Sequence, residues 1–165
     1  MNFFTRYSSP IGILTLISDG RSLTGLWMDT QEVNLTGCSE HGTLPIFREV
    51  ISWLDRYFQG KSSAVSFPLS PGGTAFQQRV WKILQQVPYG ETTTYGCIAR
   101  QISPAMSAQA VGGAVGRNPI SIIIIPCHRC TGSKGQLTGY AGGLENKKWL
   151  LNHEQINNSQ SERRE

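Results

Sequence analysis

Ile122-Ile123-Ile124-Ile125-Pro126-Cys127-His128-Arg129 is the stretch from which this 165-residue chain is best read. Four β-branched residues in a row predict a strand buried on both faces. Proline ends it, and a thiol and an imidazole follow at its rigid edge. A thiol is a weak nucleophile until it loses its proton, and a nearby imidazole is the usual side chain that takes it. One activated cysteine, Cys127, is therefore the expected centre of the chemistry, with His128 beside it.

Working outward, the residues before this stretch predict helices. Thr74-Ala75-Phe76-Gln77 is a capping-box pattern ahead of a helix bearing Val80, Trp81, Leu84 and Val87. Pro88-Tyr89-Gly90 ends it. A short helix from Tyr95 to Ile102, a turn at Ser103-Pro104 and a second helix from about Ser107 to Gly116 suggest a helix-turn-helix. After Cys127 comes a glycine-rich loop through Gly143, a last helix from about Leu144 to His153, and a polar tail at 157–165 expected to be disordered.

The first third predicts antiparallel sheet. Ile11–Ser18 and Leu23–Met28 are apolar segments around Asp19-Gly20, a favoured hairpin pair. Residues 29–44 look like loop, and apolar residues at helical spacing run from Pro45 to Phe58. Ser, Pro and Gly crowd residues 61–73. The expected organisation is thus a sheet domain at 1–70 and a second domain at 71–156, an α+β protein whose second part is mainly helical.

Charge is uneven across that boundary. Residues 1–72 hold five Lys/Arg and six Asp/Glu, whereas 73–165 hold ten and five. A basic half suits a polyanionic partner, because neutralised phosphates release counterions. No early segment has the form of a signal peptide and no run is long enough for a membrane span. The four cysteines (Cys38, Cys97, Cys127, Cys130) are accordingly expected as free thiols in a reducing cytoplasm.

The second paired helix has an unusual composition: Ala108, Gln109, Ala110, Val111, Gly112, Gly113, Ala114, Val115, Gly116. Each glycine inside a helix costs about 1 kcal/mol relative to alanine. Either close packing against another helix offsets that cost, or a smooth surface is needed against a ligand. Major-groove readers carry long polar side chains, and here only Gln109 is one. Such a surface suits the minor groove and little sequence readout.

Taken together, Pro126-Cys127-His128-Arg129, Ala110-Val111-Gly112-Gly113-Ala114 before Asn118-Pro119, and Thr138-Gly139-Tyr140-Ala141-Gly142-Gly143 before Trp149-Leu150-Leu151-Asn152-His153-Glu154 occur in one order. In this the chain resembles the methylated-DNA–protein-cysteine methyltransferases, which repair 6-O-alkylguanine in DNA. The likeness spans about residues 74–154; residues 1–70 resemble the family's N-terminal domain only loosely. It implies that Cys127 is the nucleophile and keeps the alkyl group permanently. His128 would take the thiol proton through a bridging water, and Glu154 would orient His128. Tyr95 would donate a proton to the departing guanine and help rotate the nucleotide out of the stack, a step costing a few kcal/mol. Asn118 would be a hinge between the recognition helix and the active-site segment. Tyr140, Ala141, Gly142 and Gly143 would form a wall of the alkylguanine pocket. Ala108, Ala110, Gly112 and Gly113, with Arg117 just beyond, would lie against the DNA.

Three positions depart from the family pattern. Gln109 stands where many members have an arginine that fills the gap left by the flipped base, so weaker DNA affinity or slower capture is expected. Cys130 replaces a branched apolar residue at a pocket position whose contact is through backbone. Ala141 lacks a hydroxyl that some members carry in the pocket wall.

Rival readings are weaker. Cys127-His128-Arg129-Cys130 is also a C-x-x-C, but redox pairs want the first cysteine at a helix N-terminus, and Thr131-Gly132-Ser133 predicts a turn. A zinc site needs a second ligand pair of recognisable spacing. A binding module that only recognises damage would lack the nucleophile. The expected activity is single-turnover alkyl transfer from double-stranded DNA to Cys127, by a monomer, with no cofactor, metal or membrane required.

Overall fold

A computed structural model describes residues 2–61, 64–120, 123–132 and 144–164. The chain divides between Gly72 and Gly73 into two compact units.

In the first unit, β1 (Asn2–Ser9), β2 (Gly12–Ser18), β3 (Leu23–Met28) and β4 (Cys38–Glu40) form one sheet in the order β3-β2-β1-β4. The first three pair antiparallel, and β4, inside the stretch expected to be loop, adds to β1 in parallel. Alternation sets which face is buried: Leu14, Leu16 and Ser18 point inward from β2. The 19–22 turn is held by Asp19 Oδ1, which accepts from the Arg21 and Ser22 amides at 2.9 Å each. Gly20 has φ 101°, a conformation that glycine adopts without cost. Helix α1 (Pro45–Phe58) packs on β1, β2 and β3 and buries Ile46, Phe47, Val50, Trp53, Leu54 and Tyr57. That is the apolar stripe its spacing predicts.

In the second unit, α2 (Ala75–Gln85) begins with the expected capping box, Thr74 Oγ1 accepting from Gln77 N at 3.1 Å and Gln77 Oε1 from Thr74 N at 3.0 Å. Two-residue β5 (Thr93–Thr94) leads straight into α3 (Tyr95–Ile102), and α4 (Ala108–Gly116) follows across a short turn. These three helices pack on one another, and Trp81 Nε1 donates to Ala114 O at 2.9 Å. That bond ties α2 to the second helix of the helix-turn-helix.

The isoleucine run corrects the sequence reading. Ile123, Ile124 and Ile125 are buried, but they form a turn rather than a strand, and Ile123 has φ 65°. A left-handed β-branched residue costs of order 1–3 kcal/mol. Part of what holds it is Asn118, whose Nδ2 donates to Ile125 O at 3.1 Å while its Oδ1 accepts from Ile120 N at 3.0 Å. β-Branched composition reports burial, and the backbone path here is set by that side-chain bridge. Cys127–Arg129 is then a single 3₁₀ turn, and β6 (Cys130–Thr131) pairs in parallel with β5. Helix α5 (Leu144–Arg164) continues past His153 through the segment expected to be a disordered tail. Asn157 Nδ2, donating to His153 O at 2.7 Å, joins the two parts. Among the described residues no helix is long and apolar enough to cross a membrane.

Candidate active site

The 3₁₀ turn and α5 meet in a buried polar cluster. Cys127 is 3% exposed, His128 fully buried and Glu154 1% exposed. His128 Nε2 lies 2.6 Å from Glu154 Oε2. An ionised carboxylate can only accept, so Nε2 carries the proton in the neutral imidazole. The lone pair then sits on Nδ1, which has no hydrogen-bond partner among the described residues. The base therefore presents a basic nitrogen on the side away from Glu154.

Glu154 is gripped from three directions. Arg129 Nε donates to Oε1 at 2.8 Å and Arg129 Nη2 to Oε2 at 3.1 Å, a forked pair. The Gly90 amide donates to Oε1 at 3.2 Å, and Gln155 Nε2 returns a bond to Gly90 O at 2.7 Å. Burial pushes the Glu154 carboxyl up, but His128 and Arg129 outweigh it and hold the group well below the usual carboxylate range. For His128, burial pushes the imidazole down, Glu154 pulls it up, and Arg129 and Lys147 push it down again; the net direction is downward. The resting cluster is thus a carboxylate matched by a guanidinium, with a neutral imidazole between Glu154 and the cysteine turn.

Lys147 is 1% exposed, and its Nζ donates to Cys130 O at 2.6 Å. Its charge also acts on Cys127 and Cys130. Cys130 is fully buried, and burial raises its thiol to about 12. Sequence reasoning gave Lys147 and Arg129 no role, although Lys147, Leu150 and Glu154 share a 3–4 residue spacing. Charged residues in step with a buried leucine were the available signal.

The β5–β6 pairing brings the helix-turn-helix to the cysteine turn. Thr93 opposes Cys130, and Tyr95 follows directly as the first residue of α3. Thr94 Oγ1 caps that helix, accepting from Cys97 N at 3.1 Å. A methyl group on Gly112 would lie 3.8 Å from Tyr95 Cδ1, an ordinary contact, and one on Gly113 would meet nothing within 4 Å among the described residues. Packing within the chain therefore does not demand glycine at 113. Asn118 connects the end of α4 to the turn before Cys127. Ala108, Gln109, Ala110, Gly113 and Arg117 are exposed along α4 and its end, outside the buried cluster. Tyr140, Ala141, Gly142 and Gly143 lie outside the described residues.

Comparison with known proteins agrees over both units of the chain. The family model for the 6-O-methylguanine DNA methyltransferase DNA binding domain matches residues 75–156, and that for the ribonuclease-like domain matches 2–71. The chain is 45% identical over 156 residues to the methylated-DNA–protein-cysteine methyltransferase of Haemophilus influenzae, covering 93% of this chain and 87% of that one. With the Mycobacterium leprae protein of the same name it shares 49% over 146 residues, 87% of this chain and 86% of the relative. The structure of Mycobacterium tuberculosis OGT in complex with DNA matches with a TM-score of 0.87 at 44% identity, over 94% of each chain. With both halves matched and the Cys127–His128–Glu154 cluster in place, the chain belongs to the methylated-DNA–protein-cysteine methyltransferase family.

Proposed function

We propose that this protein repairs 6-O-alkylguanine in double-stranded DNA by moving the alkyl group irreversibly to its own Cys127. The observation that carries this reading is the buried His128–Glu154 bond, which turns a basic imidazole nitrogen away from the carboxylate next to a cysteine in the chain. Neighbouring residues of a 3₁₀ turn point about 120° apart. A water between the Cys127 thiol and His128 Nδ1 bridges that divergence. The thiol proton passes through it to Nδ1, and Glu154 balances the imidazolium that forms.

The Cys127 sulfur then attacks the alkyl carbon in line with the guanine oxygen. The S–C bond forms as the C–O bond breaks, and the electron pair leaves with the base. Tyr95 supplies the proton that guanine needs. The products are guanine and S-alkylcysteine, so each molecule acts once. A stacked base cannot present this bond to a sulfur, so the nucleotide must leave the helix. The smooth face of α4, with Gly113 open, lies in the minor groove, and Gln109 takes the space of the extruded base. The protein supplies position, a thiolate and two proton positions; the guanine leaving group activates the carbon.

Incubation with duplex DNA containing 6-O-methylguanine, followed by intact-mass and peptide analysis, tests the proposal. One added methyl on Cys127 per molecule is expected, and none in Cys127→Ser, which still binds DNA. Transfer surviving in that variant means that another residue is the nucleophile.

A further inference from the structure

Arg129 is a buried charge that this chemistry does not use. It is 8% exposed, and all three guanidinium nitrogens are engaged. Nε and Nη2 hold Glu154, Nη1 donates to Val87 O at 2.8 Å, and the Tyr89 ring lies 5.8 Å from Cζ. Such a fork fixes both the plane and the charge of the carboxylate.

A buried carboxylate 2.6 Å from an imidazole has two effects that conflict. It orients the ring, which the reaction needs. It also draws a proton onto the ring, and an imidazolium cannot accept one from a thiol. A guanidinium never gives up its proton at working pH, so it matches the Glu154 charge permanently. The carboxylate keeps its orienting bond, while an opposite charge at the same oxygens works against its pull on the ring.

We propose that Arg129 is a positioning residue for alkyl transfer, clamping Glu154 so that it aligns His128 while leaving the resting imidazole neutral and ready to accept the thiol proton. The inference rests on the proposal that His128 is the base. The charged and titratable groups around the imidazole are Glu154 and Lys147 on α5, Cys127 and Arg129 on its own turn, and Cys130 just after it. Tyr89, in the loop after α2, stands beside Glu154 and Arg129, whose charges act on it. Of these, Arg129 is the permanent cation that shares hydrogen bonds with the same carboxylate as His128.

The experiment compares the full-length wild type with Arg129→Gln and Arg129→Lys. Two quantities are measured between pH 5 and 9: the single-turnover rate of methyl transfer from duplex DNA to Cys127, and the titration of His128 by nitrogen-15 NMR. In Arg129→Gln the imidazole titrates about one pH unit higher, and the rate falls by a larger factor at the acid end of the range than at pH 8.5, the excess being at most about tenfold, the limit that one unit sets. Arg129→Lys, a point charge without the fork, lies between the two. Loss of rate by an equal factor at every pH, or an unmoved His128 titration, overturns the inference. Should Arg129→Gln fail to fold, the comparison of Arg129→Lys with wild type decides, and an unshifted titration there counts against it. A wild type that transfers no methyl group sinks the functional proposal instead, and the NMR titration still judges the coupling of Arg129 to His128.

Discussion

The two units bury very different things. Among the described residues, the first hides only Thr5 and Ser18 among polar side chains, beneath an apolar core of Leu14, Leu16, Leu23, Leu26 and Leu54. The second hides Asn118, His128, Arg129, Thr131, Lys147 and Glu154. Burying a charge is costly unless it is paired and hydrogen-bonded. The first unit is therefore held by shape and apolar area, whereas the second adds to an apolar core of its own, with Trp81, Leu84, Ile98, Val111 and Leu150, a network in which each polar group depends on its neighbours. An apolar core loses stability by degrees when truncated. A buried polar network fails when one partner goes, because the others are left uncompensated.

The contrast is broken or upheld first by a pair of truncations. Glu154→Ala leaves Arg129 and His128 buried without their shared carboxylate and costs about 3–5 kcal/mol, together with the transfer activity. Leu16→Ala, at a fully buried position of β2, costs about 2–5 kcal/mol through lost transfer energy and a cavity. Folded Leu16→Ala molecules keep the normal methyl-transfer yield. Urea unfolding followed by resolved NMR signals from each unit gives the stabilities, and intact mass gives the yield. A Glu154→Ala variant losing less than 1 kcal/mol would show that the polar groups of the second unit do not depend on one another in this way.

Acid provides a smaller and sharper test. His128 is held below its ordinary value of 6.5 and Glu154 below its own. For both, the unfolded state binds protons at a higher pH than the folded state does. Their contribution is complete above the ordinary values and is lost as pH falls. The second unit accordingly begins to weaken below about pH 6.5, by at most about 1.4 kcal/mol per pH unit for one proton. In the first unit the Asp19 carboxyl is lowered by the Ser22 and Arg21 amides from an ordinary value of 3.8, so its acid loss starts only below about pH 4. Tyr7 acts at the other end: burial and then its 2.7 Å bond to Asp55 raise the phenol above 10, giving stability that is present below pH 10 and lost above it. Unit-specific melting between pH 3 and 11 measures this. Simultaneous acid weakening of both units would remove the distinction.

Legibility in sequence followed the same division. Apolar periodicity located β2, β3 and α1 because their burial follows a simple repeat, and a capping box marked the start of α2 within a residue. β4 was missed because three residues carry too little pattern. The isoleucine run signalled burial correctly, but a turn closed by Asn118 leaves the same composition as a strand. In the cluster, Cys127 and His128 stood out as adjacent chemistry-bearing types, and Glu154 was reached through family resemblance. Arg129 and Lys147 were not, since a charged residue's burial depends on partners distant in sequence: Glu154 for one, the Cys130 carbonyl for the other.

The smallest effects distinguish the two units' helices. Helix α1 has no side-chain cap, starts with Pro45, and draws its stability from six buried apolar or aromatic residues. Helix α4 buries only Val111, Ala114 and Val115, carries two central glycines, and relies on Ser107 Oγ, which accepts from Ala110 N at 3.0 Å. Ser107→Ala should thus cost about 1 kcal/mol, seen as faster amide exchange in α4. Gly113→Ala should do the reverse: with nothing among the described residues near the added methyl, it gains up to about 1 kcal/mol of helix stability. If this face lies against the minor groove, the same methyl weakens DNA binding. Stability and affinity then move in opposite directions at one residue, which no loss of fold can imitate. A Gly113→Ala variant that is more stable and binds DNA as tightly as the wild type would turn that face of α4 away from the groove.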